Sequence, residues 1–370
     1  MRILVTVPWG SRLGGAEEML QLAIEGFPHS GHELEFVFFE PGPWPDEIAR
    51  AGFHVEVIAA GRLRHPARLA ATIVRLARVF RRRRPDVILN WMTKTQLYGS
   101  PAAVLAGMAD RVVWWQHGIA DGHWLERCAT ALPAAAIGCS SSAAARAQAK
   151  LSPARPMFTV AAGSRTPEWH SGAPVLQLPA GVPVLGIVGR LQPWKGQDRL
   201  LGAQAILHER GHRVHTVVVG GDAYGLSSDY AASLPALVSR LNLHESVTMT
   251  GQVPDAGPYI ELMDILVNAS DPEPFGIVLL EGMARGIAVV AVDSGGPAEF
   301  IADQRTGILA PSGEPAALAD ALELLLVSPE LRKRVAAAGR QRYLEEFTGA
   351  AMCERLFRAL ESQLGPGGRR

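Results

Sequence analysis

Residues Ser270–Gly286 read SDPEPFGIVLLEGMARG. Two carboxylates, Glu273 and Glu281, lie eight positions apart, with Pro274-Phe275-Gly276 and an apolar run between them. The run before this stretch, 264–269, is almost wholly apolar, and so is the run after it, 289–292. A buried strand, a polar turn, a helix and a second buried strand make one βαβ unit, which requires a parallel sheet covered on both faces. Pro274 suits the first turn of that helix, having no N–H to leave unsatisfied. The amides of Phe275, Gly276 and Ile277 then fall at the positive end of the dipole. At 3.6 residues per turn the two acids would lie roughly 80° apart around the axis, so that one ligand could meet both. The alternative leaves Glu273 as a capping acid and Glu281 as a surface charge.

The same alternation extends in both directions. Strands are expected over 3–7, 35–39, 54–59, 86–90, 111–115 and 136–139, then over 184–188, 215–219, 246–250, 264–269 and 289–292, with helical patterns between several of them. The Gly- and Pro-rich stretch 171–183 separates the two sets and reads as a linker. The expected fold is therefore α/β, with two Rossmann-like doubly wound domains facing a central cleft. These are an N-terminal domain over 1–170, a linker over 171–183 and a C-terminal domain over 184–345. Residues 346–370 form a helix crossing back and a disordered tail. A length of 370 residues fits two cores better than one.

Composition narrows the class. Apolar residues make up 48% and charged residues 19%, which supports large cores. Lys+Arg and Asp+Glu both number 36, so no overall field selects nucleic acid. Cys128, Cys139 and Cys353 are scattered with no CxxC spacing, which argues for a reducing compartment and against a cysteine metal site. The first apolar run is too short for a signal peptide, and no run of eighteen apolar residues occurs. A cytoplasmic protein is expected.

In open parallel sheets ligands bind beyond the carboxyl ends of the strands. Several loops there are built for it. Gly14-Gly15 precede a helix after the first strand, though without GxGxxG spacing. Arg190 and Lys195 follow the strand 184–188, just before a helix starting near Gln197, and could hold a diphosphate. Gly220-Gly221 and Gly295-Gly296 end two further strands, and His117-Gly118 ends a strand of the first half. Along 64–86, Leu69, Ile73, Leu76 and Phe80 form an apolar stripe, with Arg68, Arg75, Arg78 and Arg82 opposite. Those arginines are either a solvated face or an attraction to anionic lipid, worth about 1 kcal/mol per basic residue near the membrane.

Together GGAE at 14–17, HG at 117–118, GRLQPWKG at 189–196, GG at 220–221, EPFGIVLLEGMA at 273–284 and GG at 295–296 resemble the retaining GT-B glycosyltransferases of family four. Gly282 stands where that family usually has Ala. The resemblance implies a nucleotide-sugar donor, with Arg190 and Lys195 on its diphosphate and Glu281 on the ribose. It implies Glu273 facing the transferred sugar with the amides of Phe275, Gly276 and Ile277, and Gln252 and Val253 meeting the base. Gly15 would approach the phosphate and His117 the donor sugar. Glu273, His117, Arg190 and Lys195 would carry the catalysis. It implies a hexosyltransferase acting on a glycan, lipid-linked or small-molecule acceptor in cell-envelope or exopolysaccharide synthesis, without a cofactor. Two cations and a helix N-terminus can neutralise the leaving diphosphate, so no metal is expected. A non-catalytic nucleotide-sugar-binding protein and another GT-B enzyme, such as a nucleotide-sugar epimerase, remain the alternatives.

Overall fold

The computed structural model describes residues 1–364 except 13, 28–30, 62–64, 168–175, 223–224 and 226. The tail 365–370 and the first part of the linker, 171–175, lie outside the described residues. Contacts divide the chain into two compact units, Met1–Ala162 with the C-terminal helix Gly349–Leu364, and Gly163–Thr348.

The first unit has seven strands: β1 Arg2–Val7, β2 Glu33–Phe38, β3 His54–Val57, β4 Val87–Trp91, β5 Val112–Gln116, β6 Ala136–Cys139 and β7 Met157–Thr159. They pair in parallel in the order β3-β2-β1-β4-β5-β6-β7. The second has six: β8 Val184–Val188, β9 His215–Val219, β10 Val247–Gly251, β11 Ile265–Asn268, β12 Ala288–Val292 and β13 Ile308–Ala310. Their order is β10-β9-β8-β11-β12-β13, again all parallel. Each order reverses direction once, between β1 and β4 and between β8 and β11, and a crevice opens at such a switch point. The expected two Rossmann-like α/β domains are present. The edge strands β7 and β13 escaped the sequence reading because three residues are too few to show a period.

Local chemistry explains the helices that flank the sheets. Helix Pro66–Arg83 opens on a proline and closes on Arg84 in the left-handed region at φ 49°, whose amide bonds the Phe80 carbonyl. Arg81, Arg82 and Arg83 occupy its last turn, where the dipole favours cations. Leu76 and Phe80 are fully buried in the first unit's core, and Leu69 and Ile73 pack against it. Arg68, Arg75, Arg78 and Arg82 are exposed, as the stripe predicts. The helices over 329–364 are interrupted. Helix Pro329–Arg342 passes through a π turn at Tyr343–Phe347, then Thr348, before Gly349–Leu364 begins. The break is pinned within the second unit. Tyr343 Oη donates to the Ser164 carbonyl at 3.1 Å, and the Ser164 amide to the Phe347 carbonyl at 3.1 Å.

Three parallel-strand rings pack at the first unit's β4–β5–β7 face. Trp91 stacks on Trp115 at 5.4 Å, and Phe158 meets Trp115 edge-on at 5.7 Å. Gly138 on β6 leaves the space for them, since a Cβ there would lie 2.5 Å from Trp115 Cε3 and 3.1 Å from Phe158 Cζ. Replacing Gly138 by Val should cost about 1–3 kcal/mol by overpacking. Urea unfolding of the variant against the parent measures it, and an unchanged midpoint would contradict this packing.

Candidate active site

The carboxyl end of β8 sets the geometry. The ladder continues through Gly189, whose amide bonds the Val219 carbonyl at 2.9 Å, and the Leu191 amide bonds Gly221 O at 3.0 Å. One 3₁₀ turn, Pro193–Lys195, then folds back. Gln197 Nε2 holds the Arg190 carbonyl at 2.9 Å, and the Trp194 indole donates to Gln192 Oε1 at 3.0 Å. Lys195 Nζ sits 4.1 Å above the Trp194 ring. Gly196 is at φ 73°, and a Cβ there would fall 2.3 Å from the Ala269 carbonyl. The loop therefore lies directly against the end of β11, on the other side of the switch point.

That approach brings Lys195 to Glu273. Nζ and Oε2 are 2.7 Å apart, and Asn268 Nδ2 donates to the same oxygen at 3.2 Å. Glu273 is 6% exposed. Burial pushes its carboxyl up, but the Lys195 charge and hydrogen bonds from Lys195, Ser270 and Asn268 outweigh burial and hold it below its ordinary value. The carboxylate is ionised and oriented at neutral pH. Its backbone is fixed as firmly. The Glu273 amide bonds Ser294 O at 3.0 Å and the Gly296 amide bonds Glu273 O at 2.8 Å. Gly295, at φ 98°, leaves no room for a Cβ, which would lie 2.1 Å from Glu273 O.

The structure corrects the reading of the helix start. The helix is Ile277–Ala284, with Gly276 as its N-cap at φ 97°. Pro274 is outside it, not in its first turn. Glu273 and Glu281 do not share a helix, so the angle between them around an axis has no meaning. Glu273 belongs to a bridge with Gly295, and Glu281 is half-buried on the helix. The physical reason is Gly276, whose left-handed backbone turns the chain before any helical turn can form. Phe275 is 4% exposed and its ring stacks on Phe300 at 5.1 Å, with Phe347 at 6.4 Å. Only the backbone of Phe275 is left to meet a ligand.

Among the described residues the half-buried Arg190 guanidinium has no ion pair or hydrogen-bond partner. Lys195, five residues further along the same loop, is already paired. Gln252 is exposed and Val253 half-buried after β10, and Gly221 comes close enough that a Cβ there would be 3.0 Å from Gln252 Cβ. Lys195, Glu273 and the two glycine loops are thus brought together at one sheet edge.

Gly15 and His117 lie in the first unit. Gly15 is the first residue of helix Gly15–Gly26 after β1. His117 follows β5, with its ring 4.6 Å from Trp91 and 6.4 Å from Trp115. Part of the residue reaches solvent, yet Nε2 is buried without a partner among the described residues. Burial pushes its pKa down to about 3, so the ring is neutral at physiological pH. Asn268 and Ser270 escaped the sequence reading. Their signal was present as polar residues closing an apolar strand, in VNAS at 267–270.

Two outcomes follow for the unliganded protein. Lys195→Met leaves a buried carboxylate without its cation, which should cost about 3 kcal/mol or more and raise the Glu273 pKa. Urea unfolding and side-chain carboxyl NMR read the two effects. Glu273, depressed in the fold, contributes stability above its ordinary 4.5 that is lost as pH falls through its folded value. His117, also depressed, acts in the same direction over a different window. Its unfolded form binds a proton below pH 6.5 while the folded ring stays neutral down to about 3. Stability should therefore fall on acidification below 6.5 by up to about 1.4 kcal/mol per pH unit, and His117→Gln should flatten that slope. An equal slope in the variant would remove this assignment.

Residues 173–342 match the family model described as glycosyl transferases group 1. The D-inositol 3-phosphate glycosyltransferase of Salinispora arenicola is 35% identical over 189 residues, 50% of this chain and 42% of that protein. The lipopolysaccharide core biosynthesis glycosyltransferase LpsE of Rhizobium meliloti is 29% identical over 188 residues, 51% of this chain and 52% of that one. The chain thus spans about half the length, or less, of these curated relatives. The crystal structure of Anabaena Alr3699/HepE in complex with UDP and glucose superimposes with a TM-score of 0.83, at 23% identity over 97% of this chain and 99% of that one. The two-domain GT-B fold is common to both.

Proposed function

We propose that this protein transfers a hexose from a nucleoside-diphosphate sugar to a glycan, lipid-linked or small-molecule acceptor, with retention at the anomeric carbon and without a metal. The observation that carries this reading is the Lys195–Glu273 pair at 2.7 Å at the β8–β11 switch point, with Arg190, which has no ion pair among the described residues, in the same loop after β8. Glycosyl transfer releases a diphosphate whose negative charge must be stabilised as it grows. Arg190 meets that charge without first breaking an ion pair. Lys195 adds a second cation, and the N-terminal amides of helix Ile277–Ala284 add a third, fixed source of positive potential. Glu273, kept ionised by its partners, accepts hydrogen bonds from the hydroxyls of the transferred sugar. Glu281 would hold the ribose, with the backbone at Gln252 and Val253 against the base.

The setting we propose is cytoplasmic glycan assembly for the cell envelope or for exopolysaccharide, with peripheral contact to anionic lipid through Arg68, Arg75, Arg78 and Arg82. The exposure of these four side chains supports that contact. Arg82 is shared with Glu56, so Arg75 and Arg78 carry more of it. No helix among the described residues is long and apolar enough to cross a membrane.

A panel of UDP-glucose, UDP-galactose, UDP-N-acetylglucosamine and GDP-mannose, scored for release of the nucleoside diphosphate, tests the activity. One donor should turn over in EDTA as fast as in magnesium, and a strict magnesium requirement would refute the metal-free reading. Arg190→Ala and Glu273→Gln should each lower turnover by a hundredfold or so, a barrier change of about 3 kcal/mol. Full activity in either would remove its role. Sedimentation with phosphatidylglycerol vesicles should retain the parent protein and release the Arg75→Glu, Arg78→Glu double variant. Equal retention would end the lipid proposal.

A further inference from the structure

Arg190 follows β8, and its guanidinium has no partner among the described residues. A side chain without a partner is aimed by the backbone that carries it. That backbone is held on two sides. The Gly189 amide bonds the Val219 carbonyl at 2.9 Å and the Leu191 amide bonds the Gly221 carbonyl at 3.0 Å, both towards β9. The Arg190 carbonyl accepts from Gln197 Nε2 at 2.9 Å. The peptide between Arg190 and Leu191 is therefore gripped at its N–H and at its C=O. Without the second grip it pivots on the first, and the long side chain of Arg190 swings with it.

Gln197 is itself held. It is 1% exposed, at the start of helix Gln197–Glu209. A carbonyl can only accept, so the Arg190 oxygen selects the N–H end of the Gln197 amide and turns Oε1 the other way. There it meets Tyr230 Oη at 3.2 Å, 33 positions further along the chain. Tyr230 belongs to helix Ser228–Arg240, and its ring packs against the core of the second unit. Its hydroxyl accepts from the Asp198 amide at 3.2 Å. Its one proton is shared between Asp198 Oδ1 at 2.7 Å and Gln197 Oε1 at 3.2 Å. The Asp198 amide lies in a first helical turn, where no carbonyl of its own helix reaches it. One oxygen thus closes the start of one helix and orients the glutamine. Burial pushes the phenol pKa up, so the proton stays in place at physiological pH.

We propose that Tyr230 is a positioning residue for Arg190, acting through Gln197. Its hydroxyl fixes the peptide that carries the guanidinium, and so fixes where that cation meets the leaving diphosphate. This rests on the transferase reading above, which puts a diphosphate against Arg190.

Tyr230→Phe removes the oxygen and keeps the ring. Gln197→Met keeps the length of the side chain and loses both polar ends. Each should weaken the binding of UDP or GDP, whichever the parent binds more tightly in titration calorimetry, by about tenfold, and turnover of the matching donor should fall by a similar factor. Combining each with Arg190→Ala separates positioning from a structural role. A residue that acts only through Arg190 adds nothing once the guanidinium is gone, so neither variant should change the diphosphate affinity of Arg190→Ala. A further loss of the same size in that background marks a general loosening of the loop and overturns the proposal. Affinity and turnover in Tyr230→Phe equal to those of the parent overturn it as well. A parent that binds neither UDP nor GDP overturns the proposal together with the reading beneath it. A parent that binds a diphosphate but turns over no donor refutes the transferase reading alone, and the affinity cycle still decides the role of Tyr230.

Discussion

An ammonium and a carboxylate in contact at the end of an apolar sheet organise the second unit. Glu273 is buried, and a buried carboxylate stays charged only where cations and donors replace its water. Lys195, Asn268 and Ser270 are those replacements. Each comes from a loop or strand end at the β8–β11 switch point, and each is held by its own backbone bonds. Close approach of Gly196 to Ala269 sets one wall, and the Glu273–Gly295 bridge sets the other. The fold itself therefore holds these charges in place.

The two units have the same strand order through their first six strands but different chemistry at the same edge. The second presents ions: an unpaired guanidinium, a paired ammonium and a carboxylate. The first presents neutral groups among tryptophans: His117 against Trp91 and Trp115, with Gln116 and Ser140 beside it. Open parallel sheets allow this divergence because their loops can change without disturbing the ladder beneath them.

Glycine at these edges has a specific use. Gly196 and Gly295 each sit at a φ that side chains avoid, and each lies where a Cβ would strike a carbonyl oxygen of the neighbouring loop. They let one loop rest on another. Gly276 does something different. It turns the chain so that the helix starts at Ile277 and not at Pro274, which moves Glu273 off the helix and into the bridge.

Much of this was legible in the residues themselves. Continuous apolar runs between helical patterns determined parallel strands and two doubly wound units, and the buried strands were found within one or two residues at most ends. Glycines and cations after those strands pointed to their carboxyl edge, where the structure brings Lys195 to Glu273. Periodicity, however, reports only what a segment does along its own axis. That Lys195 meets Glu273, 78 positions away, that Glu273 leaves the helix, and that His117 Nε2 is buried without a partner among the described residues are facts of one loop lying against another. Only the packed chain decided them, because contact between distant loops depends on strand order and backbone turns that no local pattern encodes.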